Sequence, residues 1–184
     1  MKKTKIIDGP GFQRTINRLA HEIVEKGKGA ENLAVVGIRT RGDFLARRIA
    51  AKIEQIEGKP VQLGTLDITL YRDDLRGRLD QPQLQSTKIL FDITEKTLVL
   101  IDDVLFTGRT IRAALNALMD IGRPNEIQLL VLIDRGHREL PIKADFIGKN
   151  VPTSMKQEIK VLMSEVDGED AVFLFESEET EARR

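Results

Sequence analysis

The chain contains no cysteine and no tryptophan, and aromatic residues make up 4% of its 184 positions. Without cysteine, disulfides and thiolate metal sites are excluded, and the composition fits a reducing cytoplasm. So few aromatics leave no stacking platform or aromatic string of the kind that reads single-stranded nucleic acid. No apolar run approaches the roughly 20 residues that span a bilayer. The opening Met-Lys-Lys-Thr-Lys-Ile-Ile-Asp has no apolar stretch of signal-peptide type and meets Pro10 early, so neither membrane insertion nor export is expected. Histidine is confined to His21 and His137. Neither a Gly-x-x-x-x-Gly-Lys nor a Gly-x-Gly-x-x-Gly motif occurs, which weakens mononucleotide kinase and dinucleotide-binding readings.

What is present suits one domain with a substantial core, since 41% of the residues are hydrophobic. Net charge is zero but unevenly spread. Residues 1–52 carry twelve Lys or Arg against five Asp or Glu, a balance of +7, and residues 164–184 carry two against eight, a balance of −6. An ordinary solvated surface accounts for such charges. So does a basic face for an anionic polymer, with the acidic tail keeping the molecule in solution.

Asp8, Pro10 and the apolar series Phe12, Ile16, Leu19, Ile23 predict a capped amphipathic helix ending near Gly27. Leu33–Ile38 reads as a buried strand. Leu45, Ile49, Ile53 and Ile56 predict a helix between Gly42 and Gly58. Val61–Tyr71 alternates as a half-exposed strand would. Residues 72–88 are polar and long for a loop in a compact domain, the mark of a mobile functional segment or of disorder. A strand over 97–102, a helix over 109–121 burying Ile111, Leu115, Leu118 and Met119, and a buried strand over Ile127–Ile133 follow. Residues 134–153 look irregular, with β-like runs at 159–163 and 171–175. Strands alternating with helices, without linker or repeat, predict a single α/β domain with a mostly parallel sheet.

The most informative stretch is Leu98-Val-Leu-Ile-Asp-Asp-Val-Leu-Phe-Thr-Gly-Arg-Thr110. Ligands of open α/β sheets bind beyond the C-terminal strand ends. Asp102 and Asp103, at such an end, can each accept hydrogen bonds from a ribose hydroxyl. Thr107, Gly108, Arg109 and Thr110 offer backbone N–H groups, two hydroxyls and a positive helix end to a phosphate, and Gly108 lets the backbone come close to it. The pattern suits a ribose 5-phosphate.

This string resembles the phosphoribosyl pyrophosphate signature of the type I phosphoribosyltransferases. Gly37-Ile-Arg-Thr-Arg-Gly42, Asp67-Ile-Thr-Leu-Tyr-Arg-Asp-Asp74 and the segment from Asp134 to Ser154 look like the bacterial pyrimidine operon regulators that double as uracil phosphoribosyltransferases. The similarity runs over essentially the full chain and is weakest from about Gly77 to Thr87. It implies the type I phosphoribosyltransferase fold: a mostly parallel central sheet flanked by helices, with a flexible loop at about 72–88 and a small hood at about 134–154 over the base.

On that resemblance, Asp102 and Asp103 hold the ribose, Thr107–Thr110 the 5-phosphate, and Thr40 and Arg41 the pyrophosphate. The loop around Thr40 is expected to contain a strained peptide. Tyr71 and Arg72 are the candidates of the flexible loop, with Arg72 placed to neutralise the departing pyrophosphate as the loop excludes water. Mg²⁺ would be held mainly through phosphoribosyl pyrophosphate and water, not by protein ligands directly. The implied reaction joins uracil and phosphoribosyl pyrophosphate into UMP and pyrophosphate.

The resemblance also implies a basic surface for pyr operon leader mRNA, to which Asn17, Arg18, His21, Lys26, His137, Arg138, Lys143 and Lys149 correspond. Phosphate contacts there supply affinity and unpaired loop bases specificity. UMP or UTP in the nucleotide pocket would favour RNA binding, regulating pyrimidine biosynthesis by transcription attenuation or translational control. Arg138→Gln is expected to weaken RNA binding and leave turnover nearly intact. Homodimers pairing basic faces, with further association, are implied as well. A purely metabolic phosphoribosyltransferase without RNA regulation is the alternative, and an enzyme for a purine base would need a different hood.

Overall fold

The computed structural model describes residues 2–71 and 87–176. Most of the expected flexible loop, including Arg72, therefore lies outside the described residues, as does the end of the acidic tail.

Five parallel strands form the main sheet in the order β3-β2-β4-β5-β6. They are β2 (Leu33–Ile38), β3 (Gln62–Leu66), β4 (Thr97–Leu105), β5 (Glu126–Asp134) and β6 (Phe146–Asn150). Helices α1 (Gly9–Gly27) and α2 (Arg41–Glu57) share a buried cluster with one face of the sheet, and α3 (Arg109–Ile121) covers the other. A smaller antiparallel sheet, β1-β8-β7, is built from β1 (Lys2–Ile7), β7 (Gln157–Leu162) and β8 (Ala171–Glu176), with the short α4 (Ser164–Asp167) between the last two. Ile159, Val161 and Val172 of that sheet belong to the same buried cluster as α1 and α2, so one core runs through both sheets.

Local chemistry explains each boundary. Asp8 caps α1 by accepting the Gly11 N–H at 2.8 Å, a contact worth about 0.5–2 kcal/mol. Phe12, Ile16, Leu19 and Ile23 are then fully buried along one helical face, each contributing about 1.5–3 kcal/mol. Strand β2 and the Leu98–Ile101 part of β4 are continuous apolar runs, as strands covered on both faces must be.

Several expectations need correction. The strand expected over Val61–Tyr71 is β3 only, ending at Leu66. The Asp67 carboxylate accepts both the Thr69 N–H at 2.9 Å and the Thr69 hydroxyl at 2.6 Å, and this local turn turns Thr69–Tyr71 into a single 3-10 turn. Leu70 is left exposed. On α3, Met119 faces solvent, and Ala113, Ala114 and Ala117 join Ile111 and Leu118 against the sheet. Small side chains there let the helix lie close to the strands. The region expected to be irregular contains β6, an edge strand whose Lys149 and Asn150 hide its strand character in sequence. The segment assigned to the hood is thus partly main sheet, and the smaller sheet with α4 forms the second layer beside α1 and α2. β1 also escaped notice, being polar at four of its six positions. It is held by pairing with β8 and by Lys3, whose ammonium lies 3.8 Å from the Phe173 ring centroid.

Candidate active site

The C-terminal ends of β2, β4 and β5 carry three loops that meet. Gly42, at the start of α2, packs so closely on β4 that a Cβ there would sit 2.5 Å from the Ile101 carbonyl oxygen and 3.2 Å from the Asp102 Cα. This contact sets residues 39–41 beside the twin carboxylates. The Arg39–Thr40 peptide is cis. The Thr40 side chain is exposed and makes no capping bond to α2, so its hydroxyl points away from that duty.

Strand β4 continues through the acids to Leu105, beyond the expected end at 102. Asp102 is 8% exposed. Its carboxylate accepts the Asp103 N–H at 2.9 Å, and that of Asp103 accepts the Val104 N–H at 2.9 Å. Burial pushes the Asp103 carboxyl above its ordinary range. Hydrogen bonding with Asp102 and with the Val104 N–H, and the charge of Arg41, pull in the other direction.

Immediately after the acids, Val104, Phe106, Thr107, Gly108 and Thr110 line a cavity of about 300 Å³. Gly108 is the N-cap of α3 with φ +93°, a backbone conformation that favours glycine. The first helical bond is Arg112 N–H to the Gly108 carbonyl at 2.9 Å. Of the N–H groups before it, that of Arg109 donates to the Thr107 hydroxyl at 3.4 Å, and those of Thr110 and Ile111 precede the helical ladder at residues that line the cavity. Thr107 also accepts N–H bonds from Glu139 and Leu140 at 3.0 and 3.2 Å, and Arg109 pairs with Glu139 at 2.6 Å. The phosphate-sized loop is therefore braced by the 134–142 segment. Hard oxygen donors are present in Asp102 and Asp103. Among the described residues no group of three or more His, Cys, Asp or Glu could hold a metal ion alone.

Sequence reasoning passed over Phe106 and Arg135. The Arg135 guanidinium lies 4.1 Å from the Phe106 ring centroid and donates to the Thr153 hydroxyl and to the Ser154 and Gln157 carbonyls at 3.0, 3.2 and 2.7 Å. His137, at φ +61°, packs edge-on to the same ring and bonds the Thr153 carbonyl. An aromatic inside the signature string, in a chain with few aromatics, was the available signal for Phe106.

Tyr71 does not reach this site. Its hydroxyl donates to Asp120 at 2.7 Å, near the far end of α3, about 16 Å along the helix from Arg109. Thr87 and Lys88 return beside β3, where Lys88 exchanges backbone bonds with Thr65 at 2.9 and 2.8 Å.

The basic candidates fall into two groups. Arg18 donates to the Ile147 and Gly148 carbonyls at 3.2 and 2.6 Å, and Lys26 to Asp145 at 2.9 Å. With Asn17, His21 and Lys149 they belong to the α1/β6 side. Arg18 and Lys149 border a groove of about 550 Å³ that is also lined by Lys5 and Arg14, which sequence reasoning missed. Lys143 is exposed on the connection leading to β6. Arg138 behaves differently. It binds Asp134, the Phe106 carbonyl at 2.8 Å and the Ile142 carbonyl at 3.0 Å. Its guanidinium holds the loop below the phosphate cavity together, so Arg138→Gln is not a selective probe of a surface.

The charge asymmetry is partly internal. Arg48 binds Ser164, Glu165 and Asp170 at 2.6–2.8 Å, and Arg41 binds both carboxylate oxygens of Asp167 at 3.1 and 3.2 Å. The first part of the acidic stretch is thus a partner of the basic half of the chain.

Comparison with known proteins places this geometry. The family model described as a phosphoribosyl transferase domain matches residues 3–161. A protein named Bifunctional protein PyrR from Thermus aquaticus is 60% identical over 176 residues, covering 96% of this chain and 97% of its own. Proteins of the same name from Pelotomaculum thermopropionicum and Bacillus subtilis are 56% and 52% identical, covering 97% and 96% of this chain and 98% and 99% of theirs. Among solved structures, the hypoxanthine phosphoribosyltransferase of Trypanosoma cruzi aligns with a TM-score of 0.68 at 15% identity, over 95% of this chain and 97% of that one. At that identity it speaks for the fold alone. The family model over most of the chain and relatives at 52–60% identity agree, and the chain belongs to the phosphoribosyl transferase family, in its PyrR branch.

Proposed function

We propose that the chain transfers ribose 5-phosphate from phosphoribosyl pyrophosphate to uracil, releasing pyrophosphate and forming UMP. The observation that carries this reading is the adjacency of Asp102 and Asp103 to the glycine-capped start of α3. Asp102 and Asp103 accept the ribose hydroxyls, while the N–H groups and hydroxyls of Thr107–Thr110 take the 5-phosphate. Thr40 and Arg41, beside the acids, take the pyrophosphate, and Arg72 of the loop adds positive charge to it. The bond from the anomeric carbon to the pyrophosphate oxygen breaks with its electron pair on pyrophosphate, and a uracil ring nitrogen bonds to that carbon as its N–H proton is lost to solvent. Catalysis is positioning and charge stabilisation. The two carboxylates suit Mg²⁺ held through substrate oxygens and water, and that ion when bound neutralises charge on the pyrophosphate. In a uracil-dependent pyrophosphate release assay, Asp102→Asn is expected to lose most turnover, and unchanged turnover would refute the assignment.

The second role, carried by the groove that Lys5, Arg14, Arg18 and Lys149 line, is binding of pyr operon leader mRNA. UMP or UTP in the nucleotide pocket favours that binding, coupling pyrimidine supply to expression of the biosynthetic genes. A homodimer that joins two such basic faces would lengthen the surface offered to the RNA. Leader-RNA binding measured with and without UMP tests the coupling, and identical affinities would remove it.

A further inference from the structure

The contact between Arg41 and Asp167 joins the proposed pyrophosphate loop to the smaller sheet. Arg41 is the first residue of α2, next to the Thr40 turn. Its charge also acts on Asp103. Asp167 closes α4, more than a hundred residues away in sequence. Both of its carboxylate oxygens accept from the same Arg41 Nη2, at 3.1 and 3.2 Å. The carboxylate is itself fixed, because it accepts the Met163 N–H at 2.9 Å. Arg41 has donors besides Nη2. Its Nε is buried and meets no acceptor among the described residues, an arrangement that costs free energy unless a ligand or water supplies one.

Two explanations compete for this pair. It could be a staple that holds α4 to α2. That task is already served by Arg48, two turns further along α2, which binds Ser164, Glu165 and Asp170 through five hydrogen bonds. Arg41 adds little to such a clamp, and its side chain is 34% exposed where that of Arg48 is 18%. The other explanation is orientation. A long arginine beside two carboxylates, Asp102 and Asp103, is drawn toward them, where it would occupy the space of the ribose hydroxyls. A third carboxylate, Asp167, fixes Nη2 at the loop and so limits where the rest of the guanidinium can lie when an anion arrives.

We propose that Asp167 is a positioning residue for pyrophosphate binding, holding Arg41 in the geometry that receives the diphosphate of phosphoribosyl pyrophosphate. This rests on the reading of Arg41 as a pyrophosphate ligand. The role is exercised on ground-state binding of that substrate, since the pair sits at its diphosphate end and away from the base.

Steady-state kinetics and melting temperatures of four single variants and one double variant of the full chain test it. Asp167→Asn raises the KM for phosphoribosyl pyrophosphate on the order of tenfold, the size of one charge-assisted hydrogen bond. It leaves kcat and the KM for uracil within about twofold and the melting temperature nearly unchanged. Asp167→Glu restores most of the loss. Arg48→Gln does the reverse, lowering the melting temperature while leaving that KM within about twofold. Arg41→Gln raises the KM at least as far as Asp167→Asn, and the double variant is no worse than Arg41→Gln alone. A KM unchanged in Asp167→Asn but raised in Arg41→Gln overturns the positioning role and spares the pyrophosphate assignment. Equal KM and melting-temperature losses in Asp167→Asn and Arg48→Gln reduce the pair to a staple. A KM unchanged in Arg41→Gln removes the pyrophosphate assignment itself.

Discussion

The loop at the end of β4 and the groove between β1, α1 and β6 both offer positive potential, but they are assembled in opposite ways. The loop uses backbone: N–H groups at the start of α3, a glycine at φ +93° and a brace from Glu139 and Leu140. The groove uses long side chains, Lys5, Arg14, Arg18 and Lys149, with Asp8 as the one carboxylate among its lining residues. Fixed dipoles in a small cavity suit one phosphate in one place and need no reorganisation when it arrives. Several side-chain cations spread along a groove suit a polymer with many phosphates, and such binding depends strongly on salt.

The comparison breaks first if the two regions cannot be disabled separately. Asp102→Asn is expected to lower uracil-dependent pyrophosphate release by about 100-fold or more, with leader-RNA retention in the absence of nucleotide within about twofold of wild type. Equal loss of both would mean that the groove exists only when the ribose site is intact. The converse probe is Arg14→Gln combined with Lys149→Gln. Each is expected to weaken RNA binding about 3- to 10-fold and to flatten the slope of log affinity against log salt by about one. Turnover is expected to stay at the wild-type level. A salt slope that does not move would show that neither side chain meets a phosphate.

The same contrast governs what the sequence disclosed. The proposed ribose-phosphate site lies in one contiguous string, so strand, acids, turn and helix start could be read in register, and α3 starts at Arg109 behind the Gly108 turn as expected. The groove draws on positions from Lys5 to Lys149; the family resemblance supplied Arg18 and Lys149, and only the excess of basic residues in the first 52 hinted at Lys5 and Arg14. Edge elements were the hardest to see. β1 and β6 each pair along one side only, which lets polar residues such as Lys2, Lys5, Lys149 and Asn150 into strands and erases the alternation. Long-range charge pairing was hidden for a related reason. Asp167, Glu165 and Asp170 looked like a solubilising tail because their partners, Arg41 and Arg48, lie more than a hundred residues upstream.

The pH response separates the two regions again. Burial raises the Asp103 carboxyl above its ordinary value, so it stays protonated to a higher pH than a solvated carboxyl would. If the ionised form grips the ribose, kcat/KM for phosphoribosyl pyrophosphate falls on the acid side at a pH above the usual carboxylate range. Asp103→Asn removes that limb along with much of the rate. An acid limb at the ordinary position in the wild type would mean that Asp103 is hydrated when substrate binds. RNA binding by lysine and arginine has no such limb.

A smaller effect is expected where α2 meets the acidic stretch. Hydrogen bonds and charge from Arg48 hold the carboxyls of Glu165 and Asp170 below their ordinary values. A carboxyl whose value is depressed in the folded state stabilises that state fully above its unfolded pKa, and the contribution is lost as pH falls through the folded one. These groups are largely solvated, so the total is modest. Arg48→Gln should therefore melt a few degrees below wild type near neutral pH, with the gap narrowing as the medium is made more acidic than the usual carboxylate range. Thermal melts of the two proteins across that range check the sign. A gap that stays constant, or widens in acid, would show that Arg48 stabilises the chain through its packing over the Phe12 ring, 5.4 Å from the centroid, and not through its two carboxylates.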